Sequence, residues 1–310
     1  MIELSVIIPT YNRYEYLLRT LAALENQTLD RELYEIIVVD DGSKDDTRSK
    51  MAAYPGLKFF PMPRNGGPAA ARNQGVRLAQ GKYVVFIGDD IYASPDFLAG
   101  HLAAHQKHPG DHIAILGYAP WTRGAEVTPL MRYLFEGPGK FRQFEYDLIS
   151  ESSNAGYRFF YTCNISLSRN FLLEDALFDE EFRYAYAEDT ELAYRLERRG
   201  MRIVFCKEIL AEHDHPTSYR NACRRAGVAG ELTLLMAKKH PELVDLSFLK
   251  FGPKKRLANW VKQRFTTILV DPLLDLADRK RWKQQIWSWA FSWSLSKHQV
   301  WGLRAAYLRK

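Results

Sequence analysis

Hydrophobic residues fall along this chain in short unbroken blocks. Leu4-Ser5-Val6-Ile7-Ile8-Pro9, Ile36-Ile37-Val38-Val39 and Tyr83-Val84-Val85-Phe86-Ile87 are runs of β-formers without polar alternation. That is the pattern of strands buried on both faces of a parallel sheet. Leu57-Lys58-Phe59-Phe60 is a weaker run of the same kind. The first block runs into Thr10-Tyr11-Asn12-Arg13, a helix is predicted to follow to about Ala23, and Ala69 to Ala79 has helical composition after the turn Asn65-Gly66-Gly67-Pro68. Strands alternating with helices at this spacing imply βαβ units and right-handed crossovers. Further along, Ile113-Ala114-Ile115-Leu116-Gly117 and Ile203-Val204-Phe205 read as strands. Glu188-Asp189-Thr190-Glu191 crowds acids into a helical first turn, with Leu192 and Leu196 at i, i+4 and Gly200 as the stop. Residues 131–158 lack clear periodicity, which in a compact domain predicts a lid or substrate loop.

The ends of the blocks change the picture. In open α/β sheets, ligands sit beyond the carboxyl ends of the strands. Tyr11 follows the first block, Asp40-Asp41-Gly42-Ser43 the second, and Asp89-Asp90 the strand at 83–87. Tyr11 offers a flat face for a base, Asp40 or Asp41 could accept hydrogen bonds from a base or ribose, and Arg72 could meet a pyrophosphate. Hard oxygens at Asp89 and Asp90 suit Mg²⁺ or Mn²⁺ bridging to nucleotide phosphates. Each residue singly also has a structural reading: edge aromatic, turn, solvated helix charge, solvated strand end. The coincidence of all of them at one edge favours a nucleotide site. The glycines form neither G-x-x-x-x-G-K-[ST] nor G-x-G-x-x-G after a first strand, which disfavours a P-loop ATPase or an NAD dehydrogenase.

Composition bounds the rest. With 310 residues, 46% hydrophobic and 26% charged, the chain suffices for one large domain plus an appendage. No apolar run approaches the ~20 residues that span a bilayer. Met1-Ile2-Glu3 leads straight into a strand, leaving no room for a signal peptide. Cys163, Cys206 and Cys223 are too scattered for a disulfide framework or zinc site, so a reducing cytoplasm is expected. The formal charge of +6 is uneven: residues 251–310 carry 13 Lys/Arg against 3 Asp, leaving the first 250 residues mildly acidic. Six of the 7 Trp also lie in that tail. A domain boundary is expected near Phe251-Gly252-Pro253. Within 254–310, Trp282, Ile286, Trp289 and Trp293 share one helical face near Lys280, Arg281 and Lys283. Such a face suits an anionic membrane surface, here the inner face of the cell membrane, or equally packing or dimerisation. Nucleic acid is disfavoured, for want of a recognisable motif.

Ser5-Val-Ile-Ile-Pro-Thr-Tyr-Asn-Arg13, Val39-Asp-Asp-Gly-Ser43, Asn65-Gly-Gly-Pro-Ala-Ala-Ala-Arg-Asn73 and the Asp89-Asp90 strand end together resemble an inverting family 2 glycosyltransferase with the GT-A fold, over roughly residues 3–235. The resemblance implies a Rossmann-like α/β domain with a mainly parallel mixed sheet flanked by helices. That domain would occupy 1–250, with a nucleotide-binding half at 1–117 and an acceptor half at 118–250, followed by a helical module at 251–310. It also implies a nucleotide-sugar donor, usually UDP-linked, a carbohydrate or lipid-linked acceptor, and Mn²⁺ or Mg²⁺. By motif, Pro9, Thr10, Tyr11, Arg13, Asp40, Asp41, Gly67, Arg72 and Asp89 fall on the donor side and Asp90 on the metal. Asp189 falls on the catalytic base, with Glu188 beside it on the acceptor. Phe159 to Ser166 resembles the strand before the acceptor site, with Asn164 near the cleft. His213 fits a further metal ligand, with His215 as the alternate. One position departs from the pattern, because Gly88 stands where the family places its first acid. That departure motivates an alternative, a non-catalytic nucleotide-sugar binder or scaffold. A nucleotidyltransferase is a weaker alternative, since its Gly-rich N-terminal loop is absent.

Overall fold

The computed structural model describes residues 1–51, 54–137, 141–149, 154–174, 177–244, 270–281 and 284–308. The chain opens with β1 (Leu4–Thr10), α1 (Tyr14–Glu25), β2 (Tyr34–Asp40), the short α2 (Thr47–Met51) and β3 (Lys58–Pro61). Next come α3 (Pro68–Leu78), β4 (Tyr83–Phe86), β5 (Ile91–Ala93), α4 (Phe97–Lys107), β6 (Ile113–Tyr118) and α5 (Pro129–Glu136). Then follow β7 (Ile165–Ser168), α6 (Arg169–Leu173), α7 (Glu188–Arg198), β8 (Arg202–His213) and α8 (Tyr219–Lys239). Two helices close the described chain, α9 (Asp271–Arg279) and α10 (Gln284–Leu308).

The eight strands form one sheet in the order β3-β2-β1-β4-β7-β6-β8-β5. β1 pairs in parallel with both β2 and β4, so Thr10, Asp40 and the residues after Phe86 leave the sheet at one edge. Every residue of β2 and β4 is buried, as their unbroken apolar runs require. On α1, Leu17, Leu21 and Leu24 make the buried stripe. The sheet is mixed, because β7 runs antiparallel to β4 and β6, and β5 antiparallel to β8.

Three local expectations are corrected. The run from Phe159 is no strand before Ile165: its rings join an aromatic cluster, with Tyr146 against Tyr118 at 5.0 Å and Tyr161 at 5.3 Å, and Phe159 against Tyr161 at 6.2 Å. The last strand runs well past 203–205, because β8 changes partners from β6 to β5. Within 131–158, residues up to Glu136 are helical, with Leu130, Met131 and Tyr133 buried on one face of α5. Residues 138–140 and 150–153 of that stretch lie outside the described residues.

The chain packs as two compact units. The first, 1–125 with 146–215, contains the whole sheet. The second, 126–145 with 216–310, is helical among its described residues. The boundary expected at Phe251-Gly252-Pro253 lies outside the described residues, as do Trp282, Lys283 and the side chain of Ile286. In the second unit Leu130, Tyr133, Tyr219, Leu274, Phe291 and Leu295 make the core. Asp271 draws its walls together, accepting from Lys297 Nζ at 2.7 Å, Ser294 Oγ at 2.8 Å and Tyr219 Oη at 2.7 Å.

Glycines bring α8 and α10 together. A Cβ on Gly302 would fall inside the van der Waals envelope of Gly227 O, and one on Gly230 inside that of Gln299 O. The contact is backbone on backbone, so no side chain can turn aside. Gly302→Ala should therefore destabilise this unit by about 1–3 kcal/mol despite its better helix propensity. Thermal unfolding checks this; a variant that melts at or above the parent temperature would contradict it.

Candidate active site

Of the residues expected on the donor side, Tyr11 and Asp40 stand at the carboxyl ends of β1 and β2, beside a cleft. Tyr11, Gly42, Ser43, Lys44, Arg48, Met62, Pro63, Arg64 and Asn65 line a cleft of about 450 Å³. Asp40 is fully buried; its Oδ1 accepts from Ser43 N at 3.0 Å, while its Oδ2 has no partner. A buried carboxylate oxygen without a donor is costly unless a ligand supplies one. Asp41 is committed elsewhere, accepting from Gly66 N at 2.6 Å and Gly67 N at 2.9 Å. It fixes the turn before α3, where Gly67 has φ +90° and its Cα packs under the Arg183 carbonyl. Only glycine fits that conformation and that space.

The paired acids after β4 are held from several sides. Asp89 Oδ2 accepts from Thr10 Oγ1 at 2.8 Å, and Asp89 O accepts from Thr20 Oγ1 at 2.8 Å. Arg13 bridges both acids, with Nε 2.9 Å from Asp89 Oδ1 and Nη2 2.7 Å from Asp90 Oδ2. Asp90 also meets His215 Nδ1 at 2.9 Å and His213 Nε2 at 3.5 Å. Burial opposes its charge, yet the two imidazoles hold its carboxyl well below the usual range, while burial and the Asp90 charge push Asp89 upward. Gly88 now has a physical account: a Cβ there would lie 2.7 Å from Asp90 Oδ1, so any larger residue must displace that carboxylate. Both histidines converge on Asp90, where the sequence offered His213 with His215 only as its alternate.

Glu188 and Asp189, expected on the acceptor side, open α7. Glu188 is buried and engaged, with Oε1 2.9 Å from Arg72 Nη1 and Oε2 accepting from Tyr186 N at 2.7 Å. Arg72, placed by motif near the donor phosphates or base, thus makes its ion pair with Glu188. Asp189 is half-buried and accepts from Thr190 N at 2.8 Å. Burial and the Glu188 charge push its carboxyl up to about 7. Cys163 feels both acid groups: burial, with the charges of Asp189 and Asp90, pushes its thiol up to about 12.

A buried network of hydrogen bonds went unread in the sequence. His101 Nε2 donates to Asn164 Oδ1 at 3.0 Å, Ser166 Oγ donates to His101 Nδ1 at 2.8 Å, and His105 Nε2 donates to Ser166 Oγ at 2.8 Å. Asn164 Nδ2 in turn donates to the Tyr118 and Ile209 carbonyls at 3.1 and 3.0 Å. Two histidines at i, i+4 on an otherwise apolar helix were the available signal.

Comparison with known proteins places the chain in a family and a fold. The profile of glycosyl transferase family 2 matches residues 5–165. Validoxylamine A glucosyltransferase of Streptomyces hygroscopicus is 32% identical over 276 residues, covering 79% of this chain and 63% of that enzyme. The chain thus spans less than two thirds of that relative's length. The mannosyltransferase PcManGT from Pyrobaculum calidifontis, solved with GDP-Man and Mn²⁺, superposes with a TM-score of 0.63 at 17% identity, covering 99% of this chain and 88% of that one. S. aureus TarS 1–349, solved with UDP-GlcNAc, gives 0.54 at 18% identity, covering 99% and 92%. The likeness to both is one of fold, and the GT-A architecture expected from the motifs is the one observed.

Proposed function

The chain belongs to glycosyl transferase family 2, and on that premise we propose that it moves a sugar from a nucleotide-diphospho-sugar to an acceptor hydroxyl with inversion at the anomeric carbon. The observation that carries this reading is Asp189, a carboxyl raised to about 7 near Cys163, whose thiol also feels the charge of Asp90. Asp189 takes the proton of the acceptor hydroxyl as its oxygen attacks the anomeric carbon. The bond from that carbon to the diphosphate breaks, and the nucleoside diphosphate leaves from the donor cleft. Asp40 Oδ2, buried and without a partner, accepts from the base, and Tyr11 covers the cleft. UDP is the proposed nucleotide, supported by TarS structures with UDP and UDP-GlcNAc. The half-buried rings of Tyr118, Phe159 and Tyr161 support a carbohydrate acceptor, since aromatic faces suit the apolar faces of sugar rings. Glycan or polysaccharide synthesis is the setting, supported by relatives named hyaluronan synthase and chondroitin synthase.

A divalent cation fits the chain's donor set, one carboxylate oxygen and two imidazole nitrogens within 4.8 Å of one another. Asp90, His213 and His215 would hold it, and it would supply Lewis-acid stabilisation of the leaving diphosphate. Asp90→Ala should abolish metal-stimulated donor binding while leaving the thermal unfolding curve cooperative. UDP release in the presence of acceptor measures turnover; full activity of Asp90→Ala, or of the parent protein in EDTA, would end the metal reading. Release that never depends on acceptor would favour the non-transferring binder instead.

The second unit supports a peripheral contact with anionic membrane. Trp289 is 70% exposed on α10, and Leu273 and Leu276 are exposed on α9 ahead of Arg279, Lys280 and Arg281. Trp293, placed on the same face in the sequence, is half-buried, and Phe291 and Leu295 of that helix are core. No helix among the described residues is long and apolar enough to cross a membrane. Liposome flotation should recover the protein with anionic vesicles at low salt and lose it at high salt. Equal recovery with neutral vesicles would favour packing or dimerisation through this face.

A further inference from the structure

We propose that Lys44, Arg48 and Arg64 form a cationic rim that draws the anionic donor into its cleft by long-range attraction rather than by contact with the base. The inference rests on the donor reading above and adds how that ligand is captured.

The need for such a rim follows from charge. A nucleotide-diphospho-sugar is an anion, and the body of this chain does not attract one. The first 250 residues are mildly acidic, and Asp40, Asp41, Asp89 and Asp90 follow strands that leave the sheet at one edge. Arg13 and Arg72 are already engaged, the first by Asp89 and Asp90 and the second by Glu188.

The three rim residues stand apart from this pattern. They are exposed, they line one cleft, and among the described residues none of their side chains has an ion-pair or hydrogen-bond partner. The acids beside them have other partners. Asp46 lies 3.5 Å from Lys50 Nζ, and Asp45 Oδ1 accepts from Thr47 N at 3.1 Å. Across residues 42–50 and 62–65, four cations stand against two acids.

The backbone fixes where these charges are mounted. Asn12, at φ +55°, accepts through Oδ1 from Lys44 N at 2.7 Å, and its own N donates to Ser43 Oγ at 2.8 Å. Gly42, at φ +75°, packs on the second wall, where a Cβ would lie 2.8 Å from the Arg64 carbonyl carbon. The segments bearing Lys44 and Arg64 therefore meet at Gly42, while the charged ends stay in solvent. Groups lining one cleft act on an ion in it within the ~10 Å screening length of 0.1 M salt. Charges of one sign around a cleft raise association rates by about 10–10³.

The test uses UDP as the charged probe and uridine as its uncharged counterpart, on the full chain with Mg²⁺ present. Calorimetry gives both affinities, and nuclear magnetic resonance line shapes give the rate constants for UDP. The triple variant Lys44→Gln, Arg48→Gln, Arg64→Gln should slow UDP association about tenfold at low salt and leave its dissociation rate nearly unchanged. High salt should erase the difference from the parent protein. Uridine should bind parent and variant alike. Each single Gln substitution should carry a similar share of the effect, since separate charges add. The swap Lys44→Arg, Arg48→Lys, Arg64→Lys should keep the rate, whereas a bidentate arginine contact would not survive it. Melting temperatures should hold, because no partner is lost. Faster UDP dissociation with unchanged association, an equal loss of uridine binding, or a slow swap variant overturns the inference and leaves the donor reading standing. UDP that fails to bind the parent protein overturns both.

Discussion

Asp189→Asn is expected to lower kcat by about 10²–10⁴, the usual range for loss of one general base. The amide keeps the carboxyl's shape and can still accept from Thr190 N, so α7 should begin where it does now. What disappears is the proton acceptor. Glu188 cannot take over, because Arg72 and Tyr186 N already engage its two oxygens. The same residue sets the pH dependence. Its carboxyl is raised to about 7, and a base must be deprotonated to work. The rate should therefore be level above that pH and fall about tenfold per unit below it. Asn at 189 should flatten that limb. Donor affinity should barely change, since the cleft at Tyr11 and Arg64 is formed by other segments. Steady-state turnover across pH, with a donor titration on the same variant, decides the matter. Surviving turnover, or donor binding that collapses with it, would remove Asp189 from the role.

Arg72→Met should strongly destabilise the sheet unit. The side chains of Arg72 and Glu188 are 8% and 2% exposed, and Nη1 stands 2.9 Å from Oε1. Removing one partner of a buried pair leaves an uncompensated charge and costs about 3–5 kcal/mol. In thermal unfolding that is a drop of roughly 10 °C for a unit of this size. The double variant Arg72→Met, Glu188→Gln should recover much of the loss, because the stranded charge is gone. An arginine that served chiefly as a phosphate contact would behave otherwise: its loss would spare the melting temperature and weaken the donor. Measuring both quantities on the single and double variants separates these roles.

The contrast shows what a sequence carries. Strand blocks such as Val6-Ile7-Ile8 and Val84-Val85-Phe86 were legible, because burial on both faces leaves nothing polar to place. The edge chemistry at Thr10, Asp40 and Asp89-Asp90 was legible too, since strand order sends those ends to one side. Pairings between distant segments were not. Arg72 and Glu188 are 116 positions apart, and nothing local to either announces the other. The antiparallel insertion of β7 between β4 and β6 is likewise a tertiary choice. The aromatic run at 159–163 has strand propensity, yet packing against Tyr146 decides its conformation. His101 and His105 read as ordinary helix residues until the sheet buries them against Ser166 and Asn164.

The alternation at the end of β8 also bears on how such a site can evolve. Because His213 and His215 flank an oppositely turned Asp214, a one-residue slip of this strand past β5 would exchange all three. Both imidazoles would leave, and Asp214, with Glu212 too in the case of an insertion, would enter beside Asp90. A single inserted or deleted codon between Cys206 and Glu212 could thus convert a nitrogen-bearing site into an all-oxygen one suited to Mg²⁺. On the proposed metal reading, strand phase would decide which side chains stand beside Asp90, without any point substitution at 213 or 215.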